Sequence, residues 1–459
     1  MSIFVRSPNK TKLMKLTIDN LGKIDHSELE LNELTILVGD NNAGKTYITY
    51  SIYGLLNNWK DFINYDSFRH IETKLKSEGQ IILSKEEITA LVTKSIVSES
   101  ENFQERIKDL FNDKEGQFSN AKVKLEFEKP TKFKNSERKI QIGENTIIEG
   151  KLEDDTLSIS YTRQSDSELN ERVLKQVIGS IFSSLVFDDI FPEPVIITAE
   201  RLGISLFYKE LDEKRTSLID GLQKLEKDAD IHPFDLLMSM TAYYATPIRD
   251  HISFTRNIEK IKKYTSNIDS SYSMEIIKDI LGAEFKKDNK QDIRFYTKNK
   301  KNNKFDIPLY LASSSARCIV DIYFYLNHIA KEGDILIIDE PESHLTLRNQ
   351  RLMAKLLVSL VNSKIKVFIT THSDFLIKEI NNLILLSNSF EGKESWLNKN
   401  KKFYLEKDKI EFTQVSVYQA KEGKLENLVV TNKGIEIPFF DEEINHLFSI
   451  SSDLDYLID

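Results

Sequence analysis

Gly39-Asp40-Asn41-Asn42-Ala43-Gly44-Lys45-Thr46 decides how this chain is read. The stretch has the spacing G-x-x-x-x-G-K-T and follows the apolar run Leu34-Thr35-Ile36-Leu37-Val38. Tyr47 to Leu56 can continue as a helix. A buried strand therefore turns through a glycine loop into a helix, which is the setting a P-loop requires. The glycines let several backbone N–H groups converge on one anion, and the helix N-terminus adds its partial positive charge. Lys45 can reach the β- and γ-phosphates as a point charge, and the Thr46 hydroxyl suits Mg²⁺.

Two more motifs lie far downstream. Ile335-Leu336-Ile337-Ile338-Asp339-Glu340-Pro341-Glu342 is an apolar strand that ends in adjacent carboxylates. Acids at the end of a buried strand need a cation or a task. Asp339 is placed to hold Mg²⁺, directly or through water, and Glu340 to orient and polarise an attacking water. The next apolar strand, Lys366-Val367-Phe368-Ile369-Thr370-Thr371-His372-Ser373, ends in a histidine that can donate to the γ-phosphate.

This order of motifs resembles the ABC-type ATPase heads of the SMC and recombination-repair proteins. It is more similar still to the ATPases of bacterial phage-defence operons: the Septu-type and PARIS-type ATPases and the ATPase half of OLD-family nucleases. The likeness rests on Leu16 to Ile24, Gly39 to Thr46, Ala199-Glu200-Arg201, Asp339 to Leu345 and Thr371 to Asp374. It covers roughly 14–60 and 305–385 well and the middle loosely. It implies an α/β fold: an ABC-type P-loop NTPase head with an antiparallel β subdomain, a helical lobe insertion and no long coiled coil. ATP and Mg²⁺ are the implied cofactors. The implied output is a toxin or nuclease partner encoded nearby, held by the ATPase assembly and released or activated by a phage-derived trigger.

Further roles follow from the resemblance alone. Ser313, Ser314 and Ser315 precede a helix where the signature loop of ABC-type heads sits, although its usual glycine is missing. Which serine would point at phosphate stays open. The implied active site needs two heads facing head to tail. The strand entering the helical lobe usually carries a coupling glutamine; here Glu200 and Arg201 hold that place, with a phosphate, a partner carboxylate or a surface ion pair as alternatives for Arg201.

Composition narrows the class. Basic residues number 63 against 72 acidic, a net charge of −9, so no basic surface covers the whole protein. Cys318 is the only cysteine, which excludes an intramolecular disulfide and a cysteine-cluster metal site. Ile3-Phe4-Val5 is too short for a signal-peptide core, and no apolar run approaches a membrane span. A cytoplasmic location without a membrane partner is expected.

The pattern divides into four stretches. An N-terminal ATPase lobe with antiparallel strands is expected over 14–200, with the strands of 15–38 beside the nucleotide strand. A helical lobe with a basic hairpin follows over 201–304, then a C-terminal ATPase lobe over 305–390 and a strand and helix extension over 391–459. The lysines of 286–304, with Arg294, Phe295 and Tyr296, suit a solvated hairpin tip or a nucleic-acid contact, so direct nucleic-acid binding stays open. The tail is short for a fused nuclease of OLD type. Two other classes compete with a defence ATPase: a DNA-repair ATPase that clamps DNA directly, and a transporter motor.

Overall fold

The computed structural model describes residues 14–96, 101–127, 132–142, 146–163, 171–188, 190–207, 244–261, 263–287, 293–298 and 304–458. In chain order the strands are β1 (Met14–Leu21), β2 (Ile24–Leu31), β3 (Leu34–Gly39), β4 (Gln80–Leu83), β5 (Lys122–Phe127), β6 (Ser136–Ile142), β7 (Thr146–Glu153), β8 (Thr156–Arg163) and β9 (Pro194–Ile197). They continue as β10 (Glu284–Lys287), β11 (Ile293–Lys298), β12 (Lys304–Pro308), β13 (Ile335–Asp339), β14 (Lys366–Thr370), β15 (Val415–Lys421) and β16 (Lys424–Leu428). The helices include α1 (Lys45–Asn57), α2 (Arg69–Glu78), α3 (Lys85–Ser95), α4 (Glu101–Phe111), α5 (Glu171–Phe182) and α6 (Thr246–Ile261). After these come α7 (Ser271–Leu281), α8 (Ser314–His328), α9 (Leu347–Asn362), α10 (Asp374–Leu385), α11 (Lys393–Asn400) and α12 (Pro438–Ile458).

The chain forms two compact units, Met1–Leu31 with Tyr50–Pro194 and Asn32–Thr49 with Val195–Asp459. In the first unit β1 pairs antiparallel with β2 and with β5, matching Leu16 to Leu29 and to Leu125. The alternation read in 122–162 forms β5 to β8. The short strand β4 joins β8, β7 and β6 in an antiparallel sheet and interrupts a stretch whose spacing reads as helical. Helix α5 packs closely on that sheet: a Cβ at Gly150 would meet Ile181 Cγ2 at 2.5 Å.

The second unit is built on β3, which is buried along its whole length. Strands β14 and β15 pair parallel with β3 on either side, and β13 extends the parallel set beyond β14. Strands buried on both faces read as continuous apolar runs, which is why 34–38, 335–338 and 367–369 carry almost no polar residue. Ile36, Val38, Ile338 and Ile369 lie in one core cluster with Leu357 and Ile380. The expectation that the strands of 15–31 lie beside the nucleotide strand is corrected here: β15, from the C-terminal stretch, takes that edge of β3. Close strand contact explains the first glycine of the loop. Gly39 pairs with Ala420 at φ +142°, and a Cβ there would lie 2.5 Å from the Ala420 carbonyl oxygen.

The basic stretch forms the antiparallel sheet β10-β11-β12. Phe295 is buried in a small core with Phe285 and Phe324, so its ring is unavailable to a nucleic-acid base. Arg294 is held by Asp306 at 2.6 Å. Lys290, Lys300 and Lys301 lie outside the described residues. Helix α12 has 21 residues, and among the described residues no helix is long and apolar enough to cross a membrane.

Candidate functional site

Open sheets with parallel strands gather their chemistry at the carboxyl ends of neighbouring strands. Here β3, β14 and β13 deliver the loop of 39–46, the Thr370-Thr371-His372 turn and the Asp339-Glu340 pair to one edge. The loop needs positive φ at Asn42 and Gly44 as well as at Gly39. Its exposed members are Asp40, Asn41, Asn42 and Thr46, whereas Gly39, Gly44 and Lys45 are buried. The Lys45 ammonium donates to the Gly39 and Asp40 carbonyls at 2.8 and 2.7 Å. Burial holds its pKa below the usual lysine range, against the opposing pull of Glu340, Asp339, Asp40 and Glu342.

Asp339 is 5% exposed and accepts a hydrogen bond from the Thr370 hydroxyl. Burial, reinforced by Glu340 and Glu200, pushes its pKa up to about 6. A buried carboxylate held at such cost is a hard oxygen donor suited to a divalent cation. Glu340 sits in the left-handed region at φ +51°, where a non-glycine residue is strained. Its N–H is held by the Thr370 carbonyl at 3.2 Å and the Thr370 hydroxyl at 3.1 Å. Its carboxylate accepts from Ser343 Oγ at 3.0 Å and lies 3.7 Å from His372 Nε2. The His372 pKa is lowered, first by burial and then by Lys45, so the imidazole is neutral at physiological pH.

Two residues gain roles that the sequence pattern did not assign. Glu342 accepts the His372 backbone N–H at 2.7 Å, and burial raises its pKa. Arg201, 2% exposed, donates to the Asp339 carbonyl at 2.7 Å and to the Glu340 carbonyl. This corrects the alternatives of a phosphate, a partner carboxylate or a surface ion pair: the guanidinium is buried against backbone oxygens. Glu200 is exposed, close enough to Asp339 to disfavour its charge.

The three serines make their hydrogen bonds around the start of α8 and to the turn after β13. Ser313 caps α8 by accepting from the Ala316 N–H, and Ser314 accepts from Arg317. Ser315 Oγ donates to the His344 carbonyl at 3.0 Å, just past the acidic pair. Among the described residues no hydrogen bond joins these serines to the loop.

The arrangement sets an electropositive cradle, made of loop N–H groups, Lys45 and the start of α1, against a group of carboxylates. A polyphosphate accompanied by a divalent cation satisfies both halves, with the Thr46 hydroxyl and the Asp339 carboxylate as candidate ligands.

The family model described as AAA ATPase domain matches residues 12–377. No curated protein matches the chain in sequence. Solved structures similar to it include an Smc head bound to the C-winged helix domain of ScpA, 13% identical over 91% of this chain and 96% of that chain, with a TM-score of 0.34. The SMC head domain from Thermotoga maritima is 12% identical over 93% of this chain and 100% of that chain, with a TM-score of 0.33. At such scores the likeness carries no weight beyond its mention.

Proposed function

The chain belongs to the AAA ATPase domain family, and from that premise we propose that it binds ATP at Gly39 to Thr46 and hydrolyses it with Glu340 as the base. Lys45 and the loop N–H groups neutralise phosphate charge as it develops. Thr46 and Asp339 would hold Mg²⁺, which would supply positive charge to offset that of the phosphates. Glu340 takes a proton from the attacking water, and neutral His372, 3.7 Å away, donates to the γ-phosphate. The single observation that carries this reading is that the Lys45 loop after β3 and the Asp339–Glu340 pair after β13 lie at the carboxyl ends of one parallel set, with β14 between them. Lys45→Ala tests it. The variant should lose binding of a fluorescent ATP analogue, and equal affinity would sink the assignment.

The biological role goes further than the chemistry. Two chains meet head to tail, Ser313 to Ser315 of each facing the other's nucleotide. ATP hydrolysis then acts as a switch that holds, and then releases or activates, a separate toxin or nuclease in anti-phage defence. The motif likeness to defence ATPases supports this. The purified chain should leave plasmid, linear DNA and transfer RNA uncut with Mg²⁺ or Mn²⁺, and toxicity in cells should need a second gene product. Cleavage that persists through purification and vanishes with substitutions outside the ATPase motifs would overturn the division of labour.

A further inference from the structure

Behind the acidic pair lies a buried polar chain that the hydrolysis chemistry does not use. It starts on α8, the helix that Ser313 to Ser315 open. Asp321 on α8 and His251 on α6 are both fully buried, and His251 Nε2 lies 3.1 Å from Asp321 Oδ2. The Thr198 backbone N–H donates to His251 Nδ1 at 3.1 Å. That bond makes Nδ1 the acceptor, so Nε2 carries the proton and donates it to Asp321. Thr255 Oγ1 adds a second hydrogen bond to Asp321 at 3.2 Å. Thr198 faces the other way through its carbonyl, which accepts from Arg201 Nη1 at 3.4 Å. Arg201 then reaches the carbonyls of Asp339 and Glu340. A shorter link runs outside this chain, from Ser315 Oγ to the His344 carbonyl.

We propose that Arg201 and the His251–Asp321 pair are positioning residues, tying α8 to the Asp339–Glu340 peptide so that engagement of the serines that open α8 sets the Glu340 carboxylate. The inference rests on the hydrolysis reading above. Three physical points support it. Removing a guanidinium and a carboxylate from water is costly, and apolar packing of equal volume would stabilise the fold as well or better. The strained backbone of Glu340 persists only where its surroundings over-determine it, and here its N–H is held from β14 while its carbonyl is held by Arg201. The connection is also contiguous, each link a hydrogen bond with an assigned donor. In a head-to-tail pair, the serines of one head would face the other's γ-phosphate. Pairing on ATP would thereby arm hydrolysis in each head.

The test uses the full chain, a fluorescent ATP analogue, steady-state ATPase kinetics and sedimentation. Arg201→Lys keeps the charge but loses the planar fork that serves two carbonyls. Arg201→Lys and His251→Leu should each lower kcat by about 100-fold, the scale of a 1 Å misplacement. KM and analogue affinity should change little. Placed in a Glu340→Gln background, either change should leave ATP-driven pairing intact. His251→Gln, which can accept from Thr198 and donate to Asp321, should keep most of the turnover. Normal kcat in folded Arg201→Lys and His251→Leu overturns the inference. So does an equal loss in the Gln and Leu variants, or a fall in kcat that comes with lost analogue binding, since either marks a merely structural role. Should Arg201→Lys fail to fold, the His251 pair of variants decides. Failure of the underlying reading is distinct, because it appears as normal analogue binding in Lys45→Ala.

Discussion

The backbone N–H of His372 donates to the Glu342 carboxylate at 2.7 Å, which fastens the turn after β14 to the turn after β13. The bond holds His372 and Glu342 together although thirty residues separate them in sequence. Glu342→Gln keeps an acceptor and should retain most activity. Glu342→Ala leaves the His372 N–H unpaired, at about 1–3 kcal/mol, and should lower both kcat and the melting temperature. Turnover assays and thermal melts of the two variants decide the point, and equal behaviour would deny the tie.

Glu340→Gln should bind ATP normally and turn over about 100-fold or more slowly, the scale of a lost general base. ATP should trap it as a pair of heads, visible by sedimentation. Wild-type turnover in this variant would remove Glu340 from the mechanism.

Asp339 yields a prediction with a definite sign. Its folded pKa, about 6, lies above the ordinary 3.8. The unfolded chain therefore releases this proton first, and the buried carboxylate destabilises the fold above pH 6. The penalty is on the order of 2–3 kcal/mol from the size of the shift. It fades as pH falls through 6 and is gone below 3.8. Without nucleotide or metal, Asp339→Asn should be the more stable protein at pH 7.5, lose its advantage near pH 4, and have no ATPase activity. Denaturant titrations at the two pH values check this, and a less stable variant at pH 7.5 would contradict it.

Gly39→Ala should damage both strand pairing and nucleotide binding. The added Cβ meets the Ala420 carbonyl at 2.5 Å, at a φ of +142° that side chains avoid. Backbone strain of this kind costs about 1–3 kcal/mol before the clash is counted. A lowered melting temperature with weaker ATP-analogue binding is expected. An unchanged melt would show that β15 yields there.

What the sequence disclosed follows the range of each interaction. Gly39 to Thr46 is legible because strand, loop and helix are contiguous and the glycines are a local requirement. Asp339 and Glu340 stand out because acids end an apolar run. Neither the edge of β3 that β15 occupies nor the carbonyls that Arg201 meets leaves a local trace, since partners lie hundreds or more than a hundred residues away. His251 and Asp321 are two polar residues in otherwise ordinary amphipathic helices, and only their burial together gives them meaning. The serines illustrate the middle case: the helix cap at Ser313 is local and readable, whereas the reach of Ser315 to His344 is not.

The strand order has a consequence for how this protein is made. β3 is complete at residue 39, but both neighbours that cover it, β14 and β15, lie beyond residue 365. At about 5–20 residues per second, a ribosome leaves that apolar strand without its partners for roughly tens of seconds. Meanwhile the whole of Tyr50–Pro194 emerges and can collapse on its own. Nascent chains halted before β14 should therefore be cut by protease within 32–49 while the described elements of 50–194 resist, and halting after β15 should close that window. The loop of 39–46 is among the first segments born and among the last to acquire its shape.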